Sequence, residues 1–227
     1  MTRPRTKLAV FDCDGTLVDG QADVCWAMER AFIRAGLLPP EPALVRRMVG
    51  LSLTVAVREL APGLDEGKAR EVTEFYKSSF RARREEGLLD EPLFDGIAEL
   101  LARLHEAGWS LAVATGKSDR GLAACLAVHG IADLFVSLQT ADRHPSKPHP
   151  AMLEAALFEA GAQPEEAVMI GDTSFDMQMA AAARVPAIGV AWGYHDASEL
   201  LATGARGVAG TAAELAELLA ELLERPS

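Results

Sequence analysis

The chain has 227 residues, 49% of them hydrophobic, enough to bury a sizeable core as one large domain or as a domain carrying an insertion. Its formal net charge of -11 argues against a nucleic acid or an anionic membrane as partner, since both need a basic face. The three cysteines, Cys13, Cys25 and Cys125, have neither metal-ligand spacing nor a disulfide framework, which fits a reducing cytoplasm.

Arg3, Arg5 and Lys7 ahead of an apolar run faintly resemble a signal peptide, but Asp12 stops the run after about five residues, too few for export. No stretch approaches the roughly 20 apolar residues of a membrane span. The run itself, Leu8 to Phe11, predicts a parallel strand covered on both faces. It delivers Asp12 and Asp14 at its tip, and Gly15 then frees the backbone to approach an anion. Two carboxylates this close repel unless a cation joins them or one keeps its proton. A calcium loop would need glycine at its sixth position, where Leu17 stands.

Beyond Asp19 the rhythm becomes helical. Val24, Met28, Ala31, Phe32 and Ala35 recur at steps of three and four before Gly36 and the Pro39-Pro40 break. Helices are expected over Ala43 to Met48, Leu53 to Leu60 and about Asp65 to Glu86, the first two separated by Val49-Gly50-Leu51-Ser52. No strand pattern interrupts 18–88, so this stretch reads as an all-helical insertion, with 1–17 and 89–227 forming the remaining domain.

From Asp90 onward helices alternate with apolar strands, the signature of a parallel sheet wrapped by helices. Strands are expected at Trp109 to Ala114, Leu134 to Leu138, Ala167 to Ile170, Ala187 to Val190 and Gly207 to Ala209. Between and after them lie helices at Ile97 to Glu106, Gly121 to Val128, Ala151 to Ala160, Phe175 to Ala183 and Ala212 to Leu223. The fold class is α/β, a parallel sheet wrapped by helices plus a small helical insertion.

Ligands of such sheets sit at the carboxyl ends of the strands. Those ends carry Asp12 and Asp14, then Thr115-Gly116-Lys117-Ser118, then Gly171-Asp172 with Asp176 close behind; Lys147 precedes the Ala151 helix. A hard divalent cation such as magnesium takes oxygen ligands of this kind and screens the repulsion between an attacking carboxylate and a phosphate. Thr115 and the Gly116 amide can cradle phosphoryl oxygens, with Lys147 balancing charge. A nucleotide P-loop ending in Gly116-Lys117-Ser118 fails because its first glycine falls on Leu111, inside a strand.

Asp12-x-Asp14-Gly15-Thr16, Thr115, Lys147-Pro148 and Gly171-Asp172-x-x-x-Asp176, in that order, resemble the haloacid dehalogenase superfamily in its phosphoglycolate-phosphatase-like branch. The resemblance covers nearly the whole chain. It implies a Rossmann-like core, a helical cap over 18–88, and a magnesium-dependent phosphatase for a small phosphorylated metabolite, working as a monomer or small homo-oligomer. By the same resemblance Asp12 is the nucleophile, Asp14 the general acid and base, and Lys147 the residue that steadies both nucleophile and transferring charge. Thr115, Gly116, Gly15 and Thr16 are implied around the phosphoryl group, and Asp12, Asp14, Asp172 and Asp176 around the metal. The family's dehalogenases lack the second aspartate, so Asp14 speaks for phosphate chemistry.

Gly20 stands where relatives commonly have serine, and Ser146 where glycine often precedes Lys-Pro. A phosphomutase, or a non-enzymatic phosphate or metal sensor, would use the same residues. In the insertion, the 49–52 turn with Arg46 and Arg47 is expected to read the substrate's other end. The five histidines have no mutual metal spacing, His149 being the one expected near the site.

Overall fold

The computed structural model describes residues 6–224; Arg3 and Arg5 lie outside them. Six parallel strands form one sheet: β1 (Leu8–Phe11), β2 (Ser110–Thr115), β3 (Phe135–Thr140), β4 (Ala167–Gly171), β5 (Ala187–Val190) and β6 (Val208–Ala209), in the order β3-β2-β1-β4-β5-β6. β1 is central and fully buried, as four consecutive apolar residues require.

Alternation of side chains divides each strand between two cores. Ala9, Phe11, Leu111, Val113, Val168 and Ile170 face one side, covered by α5 (Ile97–Glu106), α6 (Asp119–Val128) and α10 (Ala212–Glu224). Leu8, Val10, Ala112, Ala114 and Met169 face the other, covered by α7 (Ala151–Ala160), α8 (Ser174–Ala182) and α9 (Ala197–Ala202). A helix such as α9 is too short to announce itself by periodicity, and the sequence reading passes over it.

The remaining helices are α1 (Gln21–Arg34), α2 (Pro42–Arg47), α3 (Leu53–Leu60) and α4 (Glu66–Glu85), and no described strand falls among them. They bury a third core around Met28, Phe32, Val57 and Val72. Asp65 caps α4 by accepting the Lys68 amide at 2.9 Å, which starts the helix where the charge pattern places it. Ser118 likewise caps α6, so that helix begins two residues ahead of the expected Gly121.

The chain enters and leaves this helical segment side by side. Asp19 N–H donates to Pro92 O at 2.9 Å and Phe94 N–H to Leu17 O at 3.0 Å, beside an antiparallel bridge of Val18 with Leu93. No described helix is long and apolar enough to cross a membrane.

Candidate active site

The site is assembled by register. Phe11 stands beside Val113 of β2 and Ile170 of β4, so Asp12, Thr115 and Asp172 emerge at or just past three adjacent strand ends. Asp12 is fully buried, its Oδ1 accepting the Cys13 amide at 2.6 Å and its Oδ2 lying 2.9 Å from Lys147 Nζ. The same ammonium is 2.7 Å from Asp176 Oδ1. Asp176 has a second task as the return half of a capping box at the start of α8. Its Oδ2 accepts the Thr173 amide at 3.1 Å and the Thr173 hydroxyl at 2.7 Å, while Thr173 Oγ1 takes the Asp176 amide. Asp172 accepts the Thr16 hydroxyl at 2.9 Å and the Tyr194 amide at 3.0 Å.

Asp12, Asp172 and Asp176 each bring a carboxylate oxygen within 4.8 Å of the others. Three carboxylates against one ammonium would carry an excess of two negative charges if all were ionised, among side chains that are almost wholly buried. Burial accordingly pushes Asp12 up to about 7, with Lys147 opposing and Asp176 assisting the rise. Burial, then Asp12 and Asp176, hold Asp172 well above the carboxylate range. For Lys147, burial works against the charge, but Asp12 and Asp176 more than offset it and raise its pKa. Asp12 Oδ2 and Asp176 Oδ1 are buried in charge contact only, without an aligned hydrogen bond. An all-oxygen set with excess negative charge and uncommitted lone pairs fits a hard divalent cation.

Asp14 is not one of these three. Its Oδ1 is 2.8 Å from Lys117 Nζ, which also sits 2.6 Å from Glu91 Oε1 on the segment leaving the helical insertion. Asp14, Gly116 and Lys117 line a cavity of about 390 Å³ whose other walls come largely from α1 to α4. The turn at Gly50 closes down on the cluster. Its backbone has φ +96°, and a Cβ there would stand 3.2 Å from Thr173 Oγ1 and 3.8 Å from Asp12 Oδ2. A Cβ on Gly116 would in turn meet Leu51 O at 2.5 Å, and Ser52 N–H donates to Ser146 Oγ at 2.8 Å.

Residues 9–190 match the profile of the haloacid dehalogenase-like hydrolases. The chain belongs to that family. It is 33% identical over 225 residues to "Probable phosphatase IndB" of Dickeya dadantii, covering 97% of this chain and 96% of that protein. It is 31% identical over 231 residues to a phosphoglycolate phosphatase of Vibrio vulnificus, covering 96% and 98%. Another relative, 35% identical over 216 residues, is named "Tyrosine-protein kinase PtkA" in Mycobacterium tuberculosis, with 94% of this chain and 72% of that one covered. Among solved structures, a predicted phosphatase from Clostridium acetobutylicum superposes with a TM-score of 0.86 at 25% identity, covering 95% and 99%.

In this haloacid dehalogenase-like hydrolase several residues expected at the site have partners that the sequence reading did not name. Asp14, expected among the metal ligands, has its side chain 2.8 Å from Lys117, and just past the end of β1 the Thr16, Leu17 and Val18 amides all donate to Cys13 O. Thr16, expected at the phosphate, spends its hydroxyl on Asp172. Gly15 supplies a φ of +81° where a Cβ would run into the Asp172 carboxylate. Thr115 is buried at the end of β2, and its Oγ1 accepts the Lys117 amide at 3.2 Å.

Arg46 and Arg47 do not line the cavity. Val45 is the residue that α2 turns inward, which rotates Arg47 outward to Glu199 of α9 at 3.0 Å and leaves Arg46 beside Cys25. His149 is exposed, accepting the Ala151 amide. The histidine near the site is His195, buried, 3.2 Å from Ser174 N and 3.1 Å from Arg47 O. Tyr194 and His195 follow the end of β5, a strand end the sequence reading left out although the same rule applies to it.

The cluster predicts a pH dependence. Asp12 and Asp172 are raised in the folded state, so the native metal-free protein binds more protons than the unfolded chain between the usual carboxylate range, about 4, and about 7. Its stability is therefore greatest at low pH in this window and falls as pH rises through it. A divalent cation bound here would take the protons' place, so added magnesium is expected to stabilise more at pH 8 than at pH 5. At a hundredfold excess over its Kd the gain is about 2.7 kcal/mol, roughly 5–10 °C in Tm for a chain of this size. Thermal melts with and without magnesium at both pH values check this, and Asp172→Asn removes the increment. An equal increment at both pH values would contradict a site built from these carboxylates.

Proposed function

We propose that the protein is a magnesium-dependent phosphatase that hydrolyses a small phosphate monoester through a phospho-aspartate at Asp12. Family membership and the phosphatase names of its relatives make it a phosphoric monoester hydrolase. The observation that carries the finer reading is Asp12 itself, buried at the end of the central strand with Lys147 at 2.9 Å and two further carboxylates around it.

In this reading Asp12 Oδ attacks phosphorus, and Lys147 draws the ionised form of Asp12 toward neutral pH and offsets charge on the transferring group. Asp12, Asp172 and Asp176 would hold the magnesium ion, which supplies Lewis-acid screening of the phosphate charge when bound. Asp14, at the cavity side, protonates the leaving oxygen and then takes a proton from the attacking water. Thr115 and the Gly116 amide bind phosphoryl oxygens. Residues 18–88 act as a cap, joined to the core by the paired segments near Asp19 and Pro92, and the Gly50 turn over Asp12 is its closed contact. The three free cysteines and acidic charge fit action in the cytoplasm.

A second reading, transfer to an acceptor hydroxyl as in a phosphomutase or kinase, draws support from the kinase-named relative and from a turn that covers the nucleophile. A panel of alkyl, aryl and sugar phosphates with and without magnesium tests both. Release of inorganic phosphate only with metal is expected. Conversion of a sugar phosphate to its isomer without phosphate release would favour transfer, and binding without any turnover would leave a sensor.

A further inference from the structure

The cavity beside the site has the opposite electrostatic character from the molecule. The chain carries a net charge of -11, yet Lys77, Arg81, Arg84, Lys117 and Arg120 line this cavity against only Asp14 and Asp142 as acids. Three of the cations have company: Lys77 pairs with Glu74, Lys117 with Asp14 and Glu91, and Arg84 stands 4.0 Å from Glu91. Arg81 of α4 and Arg120 of α6 have no ionic partner among the described residues, and both are exposed. They come from the helical segment and the sheet domain respectively, and the buried Asp14 lines the same cavity.

The space between is large and mostly apolar. About 390 Å³ would hold about 13 water molecules at about 30 Å³ each, and Met28, Leu53, Tyr76 and Phe80 are among its walls. A two-carbon acid such as glycolate fills a small part of it and leaves those walls wet. Apolar pockets with a few charged groups at one end select ligands with an apolar body and a complementary tip.

We infer that the substrate is a phosphate monoester whose leaving group has an apolar, ring-sized body ending in a second anionic group, a carboxylate or phosphate, held between Arg81 and Arg120. This rests on the phosphatase reading above and narrows its substrate class away from phosphoglycolate. Arg81 and Arg120 are then specificity residues. Because they come from the helical segment and the sheet domain, an anion bound by both would also bridge the two.

The test compares 4-carboxybenzyl phosphate with benzyl phosphate and phosphoglycolate, with magnesium, on the wild type and on a double variant, Arg81→Ala with Arg120→Ala. The carboxylated benzyl ester is expected to exceed the plain one by at least about tenfold in kcat/KM, chiefly through KM, as charge-assisted contacts at exposed arginines allow. It is also expected to exceed phosphoglycolate, and the tenfold ratio shrinks as salt is added. In the double variant the ratio falls to near one. A ratio near one in the wild type, phosphoglycolate as the better substrate, or equal losses for both benzyl esters in the variant would each overturn the inference. Calorimetric titration with 4-carboxybenzylphosphonate and benzylphosphonate needs no turnover. If no ester is hydrolysed, the phosphatase reading falls, and these titrations alone decide the inference: tighter arginine-dependent binding of the carboxylated compound upholds it, and equal binding ends it.

Discussion

Asp12→Asn is expected to remove turnover, by at least about 10⁴-fold in kcat, while the fold survives. Loss of a nucleophile costs about as much as losing a whole catalytic set, which for a well-studied serine enzyme is about 10⁶-fold. The side chain keeps its volume, and an amide oxygen can still accept the Cys13 N–H that Oδ1 takes at 2.6 Å. Lys147 keeps Asp176 at 2.7 Å as its counter-ion, so no lone buried ammonium is left. Asp12 is a carboxyl that burial pushes up to about 7, and its replacement by a neutral group takes away part of the loss of stability between about pH 4 and 7. The metal-free variant is thus expected to melt no lower than the wild type at pH 8. Phosphate release assays and melts check both halves, with mass spectrometry to exclude deamidation back to aspartate. Appreciable activity in the intact Asp12→Asn variant, free of reverted enzyme, would remove Asp12 from the nucleophile's role.

The second large effect separates the two aspartates. Phosphoryl transfer from an alkyl ester expels an alkoxide, a poor leaving group without a proton, whereas a nitrophenolate leaves unaided. Asp14→Asn should slow the first step by about 10²- to 10⁴-fold for alkyl phosphates and much less for nitrophenyl phosphate. Water attack on the phospho-enzyme still lacks its base, so a burst of about one equivalent of nitrophenol followed by slow turnover is expected. The structure makes this substitution interpretable. Lys117 loses Asp14 but keeps Glu91 at 2.6 Å, so its charge remains compensated and the contact to the insertion's exit segment persists. Single-turnover measurements that find the first step equally impaired for both esters would mean Asp14 serves to hold Lys117 rather than to move a proton.

Much of the fold was legible because it is written in local patterns. Runs such as Leu8 to Phe11 and Ala167 to Ile170 are apolar without alternation, which only a strand covered on both faces explains, and the helices of 18–88 show the period that a single buried face requires. An apolar run that stops at a carboxylate also marks a strand end, so Asp12 and Asp172 could be singled out before their neighbours were known. The family resemblance supplied the roles. Where the reading stopped short, at α9 and at Tyr194 and His195, the segment was too short for periodicity or lay beyond a strand end left out of account.

Local pattern was enough to say which residues end strands and which segments are helical, since each depends on neighbours a few positions away, while the order of four short motifs along the chain carried the family resemblance. Who meets whom was settled by packing across the chain. Placing β4 next to β1 brings Asp172 beside Asp12, and the loop before α7 brings Lys147 between Asp12 and Asp176. The bond from Thr16 to Asp172 alone joins residues 156 positions apart. The same packing paired Asp14 with Lys117, turned Arg47 to Glu199 and set Arg81 and Arg120 in the wall of one cavity. The direction of a charged side chain depends on which long-range partner offsets its desolvation, and no local pattern of residues encodes that partner.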